Sequence, residues 1–356
     1  MERETPVRSR LARVLSGLRM RLILVTIVAL AALGVGAGLA FARASAATIG
    51  NGVVVVDTKL AYAGGAAAGT GIVLTSSGEV LTNNHVIQGA TSVDVVVPGT
   101  THHYSAKVVG YDVAADVAVI QLSGASNLKT ASLGDSSKVT TGQAVKALGN
   151  AGGTGTLSPA SGTVTGLAKS ITVSDDQGGN ARLTGLIETS AALEPGDSGG
   201  PLLNGKGQVI GMDTAASTSL AFRSTGASDS YAIPINTARA LANKIESGKA
   251  TAAVHIGPTA FLGVEIASTV GNGRFGGAAP AGGLIAGTVA GGPADSAGLT
   301  AGDVITAING RTVSSRSTIA SLILAKKPGA KITVTYTDQS GAGHVATVTL
   351  GSGPPQ

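Results

Sequence analysis

From Val53 onward the chain is a succession of short apolar runs cut by Gly, Ser, Asn and Asp. Val53 to Val56, Gly71 to Thr75, Val80 to Leu81, Val93 to Val97, Val108 to Gly110, Val117 to Leu122 and Ala144 to Leu148 are too short and too β-branched for helices, so they predict strands. Gly162 to Leu167, Gly185 to Thr189, Gly200 to Leu203 and Gln208 to Met212 continue the series. Repeated short strands without helical periods between them imply an antiparallel sandwich or barrel. Helical spacing first appears at Asn236 to Glu246, with Ala238, Leu241 and Ile245 in phase, and this helix closes the first folded unit. A loosely patterned linker, 251–258, precedes a second set of strands at Phe261 to Ile266, Gly283 to Val289, Val304 to Ile308 and Lys331 to Tyr336, with a helix from about Ser317 to Ala325. The pattern therefore predicts one domain at 51–250 and a second at 259–351. No period of 20–50 residues repeats, which argues against a solenoid.

One segment breaks this pattern. From Leu22 to Ala42 the sequence LILVTIVALAALGVGAGLAFA carries no charge. At about 1.5 Å rise per residue it spans a hydrocarbon core about 30 Å thick and predicts a membrane helix at 22–42. Six arginines (Arg3, Arg8, Arg10, Arg13, Arg19, Arg21) lie in 1–21, so the positive-inside rule puts this N-terminus in the cytoplasm and everything after the 43–50 linker outside. A secretory signal peptide is the rival reading, because Ala44-Ser45-Ala46 offers a cleavage site near Ala46. The length of the apolar run favours the retained anchor, since a signal core is usually about 7–15 residues. Gly34 and Gly38 form a GxxxG pair, but in so Gly/Ala-rich a run that spacing carries little meaning.

Composition narrows the chemistry. The net charge of +5 resides largely in those arginines, so a nucleic-acid partner has no support. Aromatic residues make up only 3% and Gly numbers 53, so the cores must be built from Val, Ile, Leu and Ala around many tight turns. The absence of cysteine excludes disulfides, thiolate metal sites and thiol nucleophiles together. No HExxH or comparable spacing suggests a metal, and no cofactor motif is present.

A serine hydroxyl is a poor nucleophile at neutral pH and needs an imidazole base, a carboxylate to orient it and backbone donors for the oxyanion. The stretch Gly196-Asp197-Ser198-Gly199-Gly200-Pro201 surrounds a serine with residues lacking Cβ, so that the N–H groups of Gly196 and Ser198 can converge, with Asp197 between them in the candidate oxyanion loop. His85 lies where the strand Val80-Leu81 runs into Thr82-Asn83-Asn84 and turns; its plainer reading is a structural histidine. Asp116 precedes an apolar strand, where a buried carboxylate could accept from the histidine ring, and Asp112 is its competitor. His102, His103, His255 and His344 lack such context.

These blocks resemble those of HtrA/DegP-type serine proteases, a bacterial-envelope branch of the trypsin-like fold. LTNNHVI around His85, DVAVIQL from Asp116 and GDSGGPLLN around Ser198 match the three catalytic blocks, and Leu148-Gly149-Asn150 and Ser161-Gly162-Thr163-Val164 also fit. The resemblance covers roughly residues 51 to 350. It implies a mainly β architecture, a chymotrypsin-like double β-barrel followed by a PDZ domain, and a serine endopeptidase acting on misfolded or damaged envelope proteins. Ser198 would attack, His85 would serve as base and then acid, and Asp116 would hold its tautomer. Two departures stand out. Asp197 occupies a position where many relatives carry Asn; in digestive trypsin-like enzymes an Asp there pairs with a new N-terminus, yet no activation site is evident ahead of Val53. Glu194 places a charge beside the cleft; its plain reading is a solvated loop residue, and it is given no catalytic role. Ala192, six positions before the serine, would floor the specificity pocket and favour small or medium aliphatic residues.

The second domain resembles a PDZ module through Phe261-Leu262-Gly263-Val264 and ADSAGLTAGDVITAING. Leu262, Gly263 and Val264 would hold a peptide C-terminus, while Ile319, Leu322 and Ile323 share a helix face that lines either the peptide pocket or simply the core, with Ile319 and Ile323 the chosen candidates. Relatives are often trimers, so a homotrimer is the expected assembly. A proteolytically idle chaperone or peptide-binding scaffold is the competing function, disfavoured because all three triad residue types are present.

Overall fold

The computed structural model describes residues 50–62, 64–174, 180–214, 230–251, 253–267 and 282–356. The expected basic N-terminus at 1–21, the membrane helix at 22–42, all but the last residue of the 43–50 linker and the cleavage site near Ala46 lie outside the described residues. Among the described residues no helix is long and apolar enough to cross a membrane.

The first six long strands are β1 (Val53–Leu60), β2 (Gly65–Val73), β3 (Glu79–Thr82), β4 (Ser92–Val96), β5 (His103–Asp112) and β6 (Val117–Leu122), with a one-turn helix α1 (Asn84–Ile87) between β3 and β4. They pair antiparallel in the order β5-β4-β1-β2-β3-β6, and β5 pairs again with β6, closing a barrel. Its interior is filled by β-branched and aliphatic side chains such as Val54, Val56, Val80, Ile87 and Ile120. Each contributes about 1.5–3 kcal/mol on full burial. The second barrel closes as β10-β11-β12-β9-β8-β7, from β7 (Ala144–Gly149), β8 (Ser158–Ser174), β9 (Asn180–Thr189), β10 (Pro201–Leu203), β11 (Val209–Thr214) and β12 (Ser230–Pro234). Helix α2 (Ile235–Glu246) follows Pro234 and packs on β5 and β6 of the first barrel as well as β11 and β12 of the second. Ile235, Ala238, Ala242 and Ile245 are its buried face, so one helix ties the two barrels.

The expected linker is partly a strand. β13 (Val254–Ile256) pairs with β5, placing His255 opposite Tyr111. The apolar positions Val254 and Ile256 are too few to announce a strand in the sequence, and only the pairing with β5 makes one.

The second domain consists of β14 (Thr259–Phe261), β15 (Val264–Ile266), β16 (Gly283–Thr288), α3 (Pro293–Ser296), β17 (Val304–Ile308), β18 (Arg311–Thr312), α4 (Arg316–Leu324), β19 (Lys331–Thr337), β20 (Gly343–Thr349) and β21 (Gly351–Gly353). The sheet runs β15-β16-β17-β19-β20, with β18 on β17, around a core including Leu262, Ile285, Ile305, Leu322 and Val334. The run Phe261 to Ile266, expected as one strand, is broken at Leu262-Gly263, where Gly263 takes a left-handed φ of 77°. β20 escapes sequence detection because only Val348 in it is fully buried. Ser315 caps α4 by accepting from the Thr318 N–H at 3.2 Å.

Past β20 the chain returns to the first barrel. β21 pairs with β14, Pro355 O accepts the Gly89 N–H at 2.8 Å, and Gln356 O accepts from Asn84 Nδ2 at 3.1 Å. Pro355 and Gln356 thus bond the first residue of α1 and the backbone just past its end. Tyr62, at the β1–β2 turn, stacks on Phe261 with ring centroids 5.1 Å apart, and Leu324 of α4 packs against the first-barrel core.

Candidate active site

Asn83 leaves β3 in extended conformation (φ −77°, ψ 150°) and starts α1, so His85 emerges from a one-turn helix at the rim of the first barrel. Asp116 stands at the mouth of β6 after a tight turn in which Asp112 Oδ1 accepts the Ala115 N–H at 3.0 Å. The two aspartates have different places: Asp112 shapes the turn, and Asp116 lies against the histidine. His85 Nδ1 lies 2.9 Å from Asp116 Oδ2 and 3.1 Å from Oδ1, and the His85 backbone N–H donates to Oδ1 at 3.0 Å. Thr214 Oγ1 donates to Oδ2 at 3.1 Å. A carboxylate can only accept, so Nδ1 carries a proton, and in the neutral ring Nε2 keeps its lone pair.

Ser198 sits in the turn leading to β10, only 5% exposed, and its carbonyl accepts the Thr70 N–H at 2.8 Å. A Cβ added to Gly69 would lie 2.6 Å from Val86 Cγ1 and 3.3 Å from Ser198 O, so the residue after His85 and the serine backbone crowd one point of β2. Gly196 has a φ of 100°, and a Cβ there would collide with the Asn150 carbonyl. Pro195 O accepts the Gly152 N–H at 2.8 Å; across a trans peptide the Gly196 N–H therefore points away from the 150–153 turn. Asp197 does not serve as the third oxyanion donor in this arrangement, because its N–H is bonded to Glu194 O at 3.0 Å.

The same turn answers what holds Asp197. Its Oδ2 accepts the Glu194 N–H at 2.9 Å, closing the loop on itself without a chain terminus. Its Oδ1 is buried without a partner. Burial raises the Asp197 carboxyl above its ordinary pKa, the Glu194 N–H opposes the rise, and the Glu194 charge adds to it. Asp213 is wholly buried next to this loop, bonded through its backbone to Gly199 and Gly200. Neither of its carboxyl oxygens has a hydrogen-bond partner, and burial, followed by the Asp197 charge, pushes it well above the ordinary value.

Ala192 is exposed, between Ala191 in the second-barrel core and Leu193, whose N–H donates to Ser230 Oγ at 3.3 Å. Leu262, Gly263 and Val264 form the bend between β14 and β15, and β15 is an edge strand. Ile319 and Ile323 are 5% and 6% exposed and belong to the core of that domain, together with Leu322. Three residues that sequence reasoning passed over bear directly on the site: Thr70, Asn83 and Thr214. A buried threonine at a strand end has no signature of its own; the doubled asparagine before His85 was the available signal. Among the described residues no three His, Asp or Glu side chains gather as metal ligands.

Residues 69–212 match the family model of the trypsin-like peptidase domain, and residues 261–342 match that of the PDZ domain. The chain is 33% identical over 323 residues to the serine protease PepD of Mycobacterium tuberculosis, covering 86% of this chain and 65% of that one. It is 36% identical over 270 residues to a probable periplasmic serine protease do/HhoA-like of Haemophilus influenzae, covering 75% of this chain and 55% of that one. It therefore spans between half and two thirds of these relatives' lengths. Among solved structures, a serine-to-alanine form of the HtrA-type protease AlgW with a tripeptide is similar at 27% identity and a TM-score of 0.50, covering 89% of this chain and 98% of that one.

Proposed function

The chain belongs to the HtrA-like serine proteases that carry a PDZ domain, and on that premise we propose that it hydrolyses peptide bonds of protein substrates through Ser198, His85 and Asp116. The observation that carries this reading is the double contact of His85 Nδ1 with the Asp116 carboxylate, at 2.9 and 3.1 Å, which leaves Nε2 as the basic nitrogen. In the proposed cycle Nε2 takes the proton of Ser198 Oγ as the oxygen adds to the scissile carbonyl. The Gly196 and Ser198 N–H groups receive the developing oxyanion, and the imidazolium, held by Asp116, returns its proton to the leaving amine. Water activated by the same nitrogen then resolves the acyl-enzyme, restoring Ser198.

The substrates fitting this reading are misfolded or damaged polypeptides outside the cytoplasm, as the periplasmic relative suggests. Ala192 would floor the pocket for a small or medium aliphatic residue. The exposed edge of β15, with the Leu262-Gly263-Val264 bend at its start, suits a peptide C-terminus added as a strand, recruiting substrate or regulating the site. Anchoring by 22–42 and assembly as a homotrimer complete the proposal.

Casein degradation by the purified chain and by Ser198→Ala tests it. Loss of cleavage in Ser198→Ala is the expected result. Equal degradation by both would remove Ser198 from its role, and no degradation by either, with aggregation of an unfolded client still suppressed, would favour a chaperone.

A further inference from the structure

The doubled asparagine that precedes His85 contains a second function. Asn83 is 0% exposed, and its Nδ2 donates to the main-chain carbonyl of Asp116 at 2.9 Å. Its Oδ1 is buried without a partner, so the side chain occupies this dry position with one hydrogen-bonded group and one unsatisfied one. Burying an amide oxygen unpaired is unfavourable, and a plain core position would favour an apolar residue.

Asp116 supplies the reason. It adopts a left-handed φ of 54°, one of few non-glycine residues among those described to do so. An aspartate tolerates that conformation only at a cost, and the residue holds it only where its surroundings over-determine it. The carboxylate is fixed by His85 and Thr214, but those bonds bear on the side chain. The backbone is fixed by the Asp116 N–H, which donates to Val113 O at a long 3.3 Å, and by Asn83 at its carbonyl. The segment that carries the histidine thus grips the aspartate twice: Asn83 through the aspartate carbonyl, the His85 N–H through its carboxylate.

We propose that Asn83 is a positioning residue that clamps Asp116 in its left-handed conformation, and so sets the carboxylate against His85 Nδ1. This rests on the triad reading above. Asparagine suits the clamp because it supplies a donor at that reach from a position with no solvent exposure. Leucine has nearly the same size but no donor.

The test compares Asn83→Leu, and Asn83→Ser as a smaller variant that keeps a hydroxyl donor, with Val56→Ala, which opens a cavity in the core of the same barrel. The His85 ring is titrated by NMR in each full-length protein, and kcat and KM are measured on a peptide substrate. With the carboxylate displaced, the His85 imidazolium loses its stabilising partner. Asn83→Leu should therefore lower the His85 pKa, broaden or abolish the downfield Nδ1–H resonance and reduce kcat by about 10- to 100-fold with KM little changed. Asn83→Ser should show the same changes in smaller measure, and Val56→Ala should lose Tm while keeping the titration and kcat. An Asn83→Leu protein with a lower Tm but an unaltered His85 titration would overturn the clamp, and if it does not fold, an unaltered titration in Asn83→Ser does so instead. The NMR readout does not depend on turnover. A fully active Ser198→Ala would instead sink the catalytic reading while leaving the Asn83 result to stand or fall by itself.

Discussion

Thr70 Oγ1 donates to the carbonyl of Gly196 at 2.7 Å, from the first barrel to the nucleophile loop of the second. The same oxygen accepts the Asn150 N–H at 2.9 Å, and the Thr70 N–H holds Ser198 O. One threonine thus links three parts of the site. Thr70→Val keeps the shape and leaves the Gly196 carbonyl and the Asn150 N–H unpaired in a buried place, costing about 1–3 kcal/mol for each group. With its anchor gone, the Gly196 peptide is free to turn. We expect kcat to fall by about tenfold or more, with the acylation burst slowed. A burst identical to the parent's would show that the loop keeps its geometry without Thr70.

Thr214 reaches Asp116 from β11, across 98 residues of sequence. Thr214→Val removes a donor to a carboxylate that is 10% exposed. A hydrogen bond to a charged group contributes about 1.5–3 kcal/mol, so kcat/KM should drop by about tenfold. The acidic limb of the pH–rate profile should also move, since a carboxylate with one partner fewer pulls harder on the His85 proton. A profile superimposable on the parent's would count against any part for Thr214.

Asp213 makes stability depend on pH. Its pKa is raised in the folded state by burial and by Asp197, so the native protein keeps a proton that the unfolded chain releases above about pH 4. The stabilisation this proton confers is complete below the unfolded pKa and is lost as pH rises toward the folded one. Asp213→Asn removes the dependence. Thermal melts should show the variant close to the parent at pH 4 and increasingly more stable at pH 6 and pH 8. A variant less stable than the parent at pH 8 would mean that the ionised carboxylate is stabilised after all.

Ala192 gives a test of specificity. Peptides with Ala or Val before the scissile bond should be cleaved with higher kcat/KM than those with Arg. Ala192→Asp should move the preference toward Arg and Lys by placing a carboxylate opposite the side chain. An Arg preference in the parent would sink this assignment.

Much of the molecule was legible in its sequence, and the parts that were not share a cause. Most strands of both barrels appear as apolar runs because each buries its own side chains, although β12 escaped that reading, and His85, Asp116 and Ser198 stand in motifs that are local. The contacts that organise them are distant in sequence: Thr70 and Gly196 are separated by 126 residues, Asn83 and Asp116 by 33. Nothing about a lone threonine records its partner. Asp112 and Asp116 look alike in sequence because they lie four residues apart in one turn, and only their bonds separate them: Asp112 accepts from Ala115, Asp116 faces His85. The partner of Asp197 was hidden for the opposite reason. It is the N–H of Glu194 three residues earlier, a turn so tight that no second segment is involved.

The tail offers a further measurement. A chain ending at Gly353 loses the bonds from Gly89 and Asn84 to Pro355 and Gln356. Removing about 1.4 kcal/mol of local support should speed hydrogen exchange at the Gly89 amide by about tenfold, while amides in the β8–β9 hairpin stay unchanged. Unchanged exchange at Gly89 would show that α1 does not rely on the tail.

That grip also has a consequence in time. Asn84 and Gln356 are separated by 272 positions, one of the longest loops this fold has to close. A chain synthesised from its N-terminus pairs the neighbouring strands of the first barrel early, since they are close in sequence. The helix bearing His85 acquires its outer support only after the whole second domain has been made and folded back. Until then the helix that bears His85 lacks its bonds to Pro355 and Gln356, so the first barrel gains its last support only when the second domain is in place.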